Sequence, residues 1–248
     1  RRQRQMCIRD SIITAGRNRK PGETRLDLIA GNSAILKNVV DQMKPHYTKG
    51  VIMIVSNPVD VLVYQCTKWM GLPNGMVFGT GCILDSSRFT RLIADYTRLN
   101  TEVVKATIVG EHGDAQIPIW SRVSIAGVPI QEYCENVGLR WGENIRKDIS
   151  DKVREMGATI IKGKGRTHYG IATCVCYLAE AVLNQRLTIA PVSTMFQGEY
   201  GIEDVCLSVP SIIGVNGVEK RLEERWAEEE FLAFRQAAEK MRNVLKTL

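Results

Sequence analysis

Five consecutive apolar residues, Val51-Ile52-Met53-Ile54-Val55, run directly into Ser56-Asn57-Pro58, and no other stretch constrains the fold as tightly. A strand with no polar face must be covered on both sides, which is the situation of a parallel sheet packed between helices. Ser56-Asn57-Pro58 ends the strand, and Pro58 suits the first turn of a helix reaching about Met70. Asn57 then stands at the carboxyl end of a central strand, where open α/β sheets place their ligands. An asparagine there also serves as a helix cap, and the two roles are compatible.

The flanking segments fit the same scheme. Ile12-Ile13-Thr14-Ala15-Gly16 reads as a short buried strand ended by glycine, and a polar, basic loop with Pro21-Gly22 fills 17–25. Leu26, Ile29, Ser33, Leu36, Val40 and Met43 then recur at helical spacing until Pro45. Met76 to Gly79 is the last short strand of this half, and Gly79-Thr80-Gly81 reads as a flexible interdomain turn. Beyond Thr80 the pattern changes to mixed helices and hairpins. Trp120 to Ile125 and Val128 to Ile130 are predicted as two strands about Gly127. Trp141 to Ile161 is a charged amphipathic helix with a weak point at Gly157, and 162–166 is a helix break rather than a phosphate loop. Thr188 to Gln197 and Val205 to Ile213 are strands joined at 198–201. The 3-4 repeat from Ala227 to Leu248 makes a final helix.

One histidine stands out among three. His112 lies in Gly110-Glu111-His112-Gly113-Asp114, just after the apolar run 106–109, as though held at the mouth of a turn. Imidazole is the side chain best suited to exchange a proton near neutrality. Upstream, Leu84-Asp85-Ser86-Ser87-Arg88-Phe89 sets a carboxylate and a guanidinium three residues apart, on one face if the segment is helical. Together the three make a proton-transfer site for a small acid. His168 reads as structural.

Composition excludes several alternatives. The net charge is +6, but Arg1, Arg2, Arg4 and Arg9 against Asp10 account for +3 of it, and no basic stripe with interleaved aromatics follows. The most apolar run, Ile171 to Leu183, contains Glu180 and is too short to span a bilayer. Seven irregularly spaced cysteines fit reduced thiols in a cytoplasmic enzyme, and Cys174-Val175-Cys176 reads as core rather than a metal site.

Gly-Glu-His-Gly-Asp at 110–114 together with Leu-Asp-Ser-Ser-Arg-Phe at 84–89 resembles the L-lactate/malate dehydrogenase family. So do Ala15-Gly16, the segment from Lys20 to Leu28, Val55 to Asp60 and Pro191 to Met195, in the same order. The resemblance implies an α/β chain: the C-terminal part of a Rossmann NAD-binding domain over 12–79, followed by an α+β catalytic domain over 80–248. Residues 1–11 are expected to be a non-native leader, 6–11 being similar to a translated sequencing adapter. No GxGxxG occurs in the sequence, and that phosphate-binding turn is expected upstream.

The implied activity is reversible hydride transfer between NAD and a 2-oxo or 2-hydroxy acid, in a homotetramer or homodimer. By resemblance, His112 exchanges the proton, Asp85 orients it, Arg88 clamps the substrate carboxylate and Arg25 polarises the carbonyl. Asn57 bonds near the same oxygen, Thr194 lines the pocket, and Thr14, Ala15, Gly16, Val55 and Asn57 meet the nicotinamide. Arg19 occupies the position that separates lactate from malate enzymes and points to a second carboxylate. Glu23, Glu111 and the C-terminal third favour the lactate type. Thr90 and Lys105 replace the Arg and His through which some bacterial relatives are activated by fructose 1,6-bisphosphate. A catalytically dead chain and a nucleic-acid or metal binder are the competing classes.

Overall fold

A computed structural model describes residues 10–18 and 25–248, with the backbone alone at Arg25. The expectations for Arg19, for 20–24 and for 1–9 lie outside the described residues. Ser11–Ile13 forms β1, Arg25–Met43 α1, Ile52–Ile54 β2, Val59–Met70 α2 and Val77–Gly79 β3. Next come Ile83–Thr97 as α3, Val104–Lys105 as β4, Ile108–Gly110 as β5, Gln116–Pro118 as β6, Ser124–Ile125 as β7 and Val128–Pro129 as β8. Ile130–Val137 is α4, Glu143–Lys164 α5, Tyr169–Leu183 α6, Thr188–Gln197 β9, Glu203–Gly214 β10, Gly217–Arg221 β11 and Glu228–Leu245 α7.

β1, β2 and β3 are parallel neighbours, and every residue of β2 is buried, as its unbroken apolar run requires. β1 starts at Ser11, and Asp10 accepts the Val51 N–H at 2.9 Å. The helix faces follow their periodicity. Ile29, Leu36 and Val40 of α1 are buried, whereas Leu26 is half exposed, because it lies in a groove lined by α7 rather than in the core. Asn32, which the apolar periodicity passes over, is the buried polar residue of that helix.

Gly79-Thr80-Gly81 is not a flexible interdomain turn. β3 pairs antiparallel with β9 at Gly79 and Ser193, so one sheet runs β1-β2-β3-β9-β10-β5-β6, with β11 on β10. At Gly79 a Cβ would come within 2.5 Å of Val59 Cγ2 and 2.6 Å of Val63 Cγ2. At Gly81, φ is +49°, and a Cβ would sit 2.3 Å from Ser208 Oγ and 2.5 Å from the Ser193 nitrogen. Glycine is required because helix, strand and neighbouring strand converge here, not because the chain must bend freely.

Other local expectations are revised. Trp120–Arg122 is a 3₁₀ turn rather than strand, its indole packed edge-on to Phe89 at 4.6 Å. α5 continues through Gly157 to Lys164 and stops at Gly165 in the left-handed conformation. Of the two neighbouring thiols, Cys174 is buried and Cys176 exposed. β11, which the sequence reading omits, returns along β10 after a tight turn. In α7 Phe234, Ala238 and Met241 are buried, and Glu230 accepts the N–H groups of Ser121 and Ala227, fixing the helix start.

Gly81→Ala should lower stability by about 2–3 kcal/mol through steric clash at a positive φ. Gly163→Ala, with nothing within 4 Å of its Cβ on α5, should leave stability unchanged or raise it. Urea unfolding of both variants checks the contrast, and equal effects would deny that the seam at Gly81 is tightly packed.

Candidate active site

β5 and β6 form an antiparallel hairpin, Gly110 facing Gln116, and the loop across its end carries His112. Gly110 enters that loop at φ +90°, where a Cβ would stand 3.0 Å from the Ala115 carbonyl. The loop meets α3, where the 84–89 motif forms the first two turns. Asp85 and Arg88 share a face as their spacing predicts, with Arg88 Nη1 3.3 Å from Asp85 Oδ1. His112 Nδ1 lies 2.6 Å from Asp85 Oδ2. One buried carboxylate therefore engages both cationic partners, one on each oxygen.

Exposure grades outward from that carboxylate. The Asp85 side chain is 4 % exposed, Arg88 13 % and His112 25 %, so the imidazole and guanidinium reach toward solvent over a buried anion. Burial by itself pulls the imidazole pKa down. The hydrogen bond and charge of Asp85, with the charge of Asp60 behind them, overcome burial and the opposing Arg88 and carry it above the ordinary 6.5. With Nδ1 held against a carboxylate, Nε2 is the ring nitrogen left to exchange a proton with a substrate.

The ends of β1 and β2 hold the second group of residues. Thr14, Ala15 and Gly16 are exposed just past β1, and Val55 is half-buried. Asn57 is exposed just past β2, and its side-chain oxygen accepts the Val59 N–H at 3.4 Å. Ser56 Oγ donates to the Ala15 carbonyl at 2.7 Å, drawing the two strand ends together. A Cβ on Gly16 would come within 3.1 Å of Ser56 Cβ. These ends are open backbone at the carboxyl edge of parallel strands, which suits a flat ring laid across them. Arg25 heads α1, and its side chain lies outside the described residues.

Thr194 does not stand with this group. It is fully buried within β9, and its hydroxyl accepts from Arg221 Nη2 at 3.2 Å. Ser193 beside it is fully buried as well, because both faces of β9 are covered there. His168 sits ahead of α6, its ring 4.1 Å from that of Tyr169.

Two buried polar residues are additions that the sequence reading missed. Asn32 accepts the Arg17 N–H at 2.8 Å and donates to the carbonyls of Arg17 and Asn57 at 3.1 and 2.6 Å. It thereby ties the chain after β1 to the chain after β2. Asp60 accepts the backbone N–H of His112 at 2.8 Å. A polar residue placed among apolar helical positions was the available signal for both.

A model of the lactate/malate dehydrogenase NAD binding domain matches residues 5–79, and one of the lactate/malate dehydrogenase alpha/beta C-terminal domain matches 82–248. The chain belongs to the lactate/malate dehydrogenase family. Within that family it is 41 % identical to the L-lactate dehydrogenase of Thermoanaerobacterium saccharolyticum, covering 96 % of this chain and 76 % of the relative. The L-lactate dehydrogenase of Acetivibrio thermocellus is 38 % identical over 96 % of this chain and 75 % of its own length. The ligand-bound minor L-lactate dehydrogenase from Enterococcus mundtii superposes with a TM-score of 0.93 at 36 % identity, covering 99 % of this chain and 78 % of that one. The chain thus spans about three quarters of the length of these relatives. Among the described residues no helix is long and apolar enough to cross a membrane, and no group of three or more His, Cys, Asp or Glu is placed to hold a metal ion.

The raised imidazole pKa has a thermodynamic counterpart. A folded-state pKa above the unfolded one stabilises the fold fully below the unfolded value, and that stabilisation fades as pH rises through the folded value. The stability difference between the wild-type chain and Asp85→Asn should therefore be larger at pH 6 than at pH 9. Denaturant titrations across that range test it, and a gap that widens with pH would contradict the assigned cause.

Proposed function

We propose that this chain catalyses the reversible reduction of pyruvate to L-lactate, as an NAD-dependent L-2-hydroxyacid dehydrogenase. The observation that carries the reading is the His112–Asp85–Arg88 arrangement, tied through Asp60 to the helix that starts just after Asn57. A bound nicotinamide cofactor would supply the hydride for reduction at the C2 carbon and accept it for oxidation. Thr14, Ala15, Gly16, Val55 and Asn57 would hold the nicotinamide end.

The chain's own residues handle the acid and the proton. Arg88 pairs with the substrate carboxylate through a planar fork that lysine cannot reproduce. Protonated His112 donates from Nε2 to the C2 oxygen as negative charge develops there, and takes the proton back during oxidation. Asp85 keeps the ring's Nδ1 side engaged and stabilises the imidazolium. Asn57 donates its amide toward the same oxygen, and Arg25 would add a positive charge beside it.

His112→Ala should lower kcat for pyruvate reduction by about 10²–10⁴-fold. NADH affinity, read by fluorescence titration, should be nearly unchanged. Parallel loss of both would assign His112 to cofactor binding instead.

Arg19 supports a second substrate reading, in which a dicarboxylic 2-oxo acid, oxaloacetate, is reduced to malate. An arginine facing only a methyl group would be an unpaired charge, at a cost of several kcal/mol. Arg19→Gln should lower kcat/KM for oxaloacetate far more than for pyruvate. An unchanged ratio would turn Arg19 away from the substrate and leave pyruvate as the one acid the reading supports.

Assembly as a homodimer or homotetramer belongs to the same proposal. Tyr177, Leu183, Leu187 and Ile189 are large apolar side chains about half or more exposed on α6 and the start of β9. A second copy would cover them.

A further inference from the structure

We infer that Asp60 is a positioning residue for the proton carrier, gripping the backbone of the His112 turn from the first turn of α2. The inference rests on the reading of His112 as the group that exchanges the substrate's proton.

Gly110 and Gly113 both take positive φ, at +90° and +142°, and the Gln116 N–H reaches the Gly113 carbonyl only at 3.4 Å. Two carboxylates from different helices supply firmer ties. Asp85 of α3 holds the ring, and Asp60 of α2 accepts the His112 N–H at 2.8 Å. An imidazole fixed only through its ring could still swing with its backbone, so the second tie determines where the first one acts.

Asp60 suits this task. It is 1 % exposed, and it lies in the first turn of α2, where the helix dipole favours negative charge. It also lies three residues after Asn57, on the same short segment. The segment that places Asn57 at the end of β2 thus also anchors the His112 backbone. Their separation, which decides whether both meet one substrate oxygen, is set by a single helix start.

The tie carries charge as well. The charged groups facing His112 are Asp85 and Arg88 from α3 and Asp60 from α2, with Glu111 and Asp114 beside it in the chain. The thiols of Cys82 and Cys206 also feel the Asp60 carboxylate. Burial first, and this charge with it, hold both well above the ordinary thiol range. They stay neutral and add no further negative charge near the imidazole.

The chain has three histidines, His46, His112 and His168, so the His112 resonance can be assigned by its loss in His112→Gln. Asp60→Asn keeps an acceptor oxygen and removes the charge; it should lower the His112 titration midpoint by about half a pH unit or more. Asp60→Ala removes both and should also speed exchange of the His112 amide proton by about tenfold or more. In both variants kcat for pyruvate reduction at neutral pH should fall more than KM changes. An unchanged midpoint in Asp60→Asn, with the kcat and KM of the parent, would overturn the inference, whether or not Asp60→Ala folds. Full turnover in His112→Ala is a different failure. It would overturn the proton-carrier reading, and with it any catalytic meaning of the tie, whatever the midpoint does.

Discussion

One residue pair joins the two halves of this chain into a single sheet, above hydrophobic cores that both halves build. Gly79 ends a parallel strand and faces Ser193 of an antiparallel one, so a single sheet passes from the parallel half into the other. Gly81, two residues further, lies where a Cβ would strike both Ser193 and Ser208. A rigid crossing of this kind matters because the chemistry is divided across it. The open strand ends and Asn57 belong to one side, and the hairpin bearing His112 and the helix bearing Asp85 and Arg88 to the other. A loose joint would let those groups drift, and proton exchange with a small acid tolerates little drift.

Electrostatics in the site are built around buried acids. Asp60 and Asp85 are nearly inaccessible, and each spends an oxygen on the same histidine, one on the backbone and one on the ring. Burying two carboxylates is costly unless their oxygens are satisfied. Asp85 is met by His112 on one oxygen and Arg88 on the other, and its contact with the ring also tunes the imidazole. Arg88 opposes the effect on His112, yet it shares Asp85, so the pair of cations remains compatible with one anion between them.

The elements were legible wherever a short-range pattern declares them. The unbroken apolar run of β2, the helical spacing in α1 and α7, the Asp85–Arg88 face and the glycine-flanked histidine all follow from neighbours in sequence. What stayed hidden joins residues far apart in the chain. Asp60 reaches His112 across 52 positions, and Asn32 reaches Asn57 across 25. Such bonds leave no periodic trace, because a single polar residue on an apolar face looks like noise until its partner is placed. Thr194 failed for a related reason. A motif fixes which strand is present, whereas the burial of a residue depends on what packs over the strand, and β9 is covered on both faces at Ser193 and Thr194. Gly79-Thr80-Gly81 misled in the opposite sense, since two glycines invite a reading of flexibility where they permit close packing.

The four tryptophans are spread through the cores rather than gathered at the site. Trp69 packs on the core beneath α1 and α2, Trp226 stacks on Tyr200 against the core under α7, and Trp120 and Trp141 meet edge to face in the core around α3. The indole emission of this chain is therefore a record of three separate interiors. Spectral changes during denaturation can be traced to one interior at a time by replacing a single indole with phenylalanine. Whether those traces coincide is an optical measure of how far the continuous sheet makes the interiors melt as one.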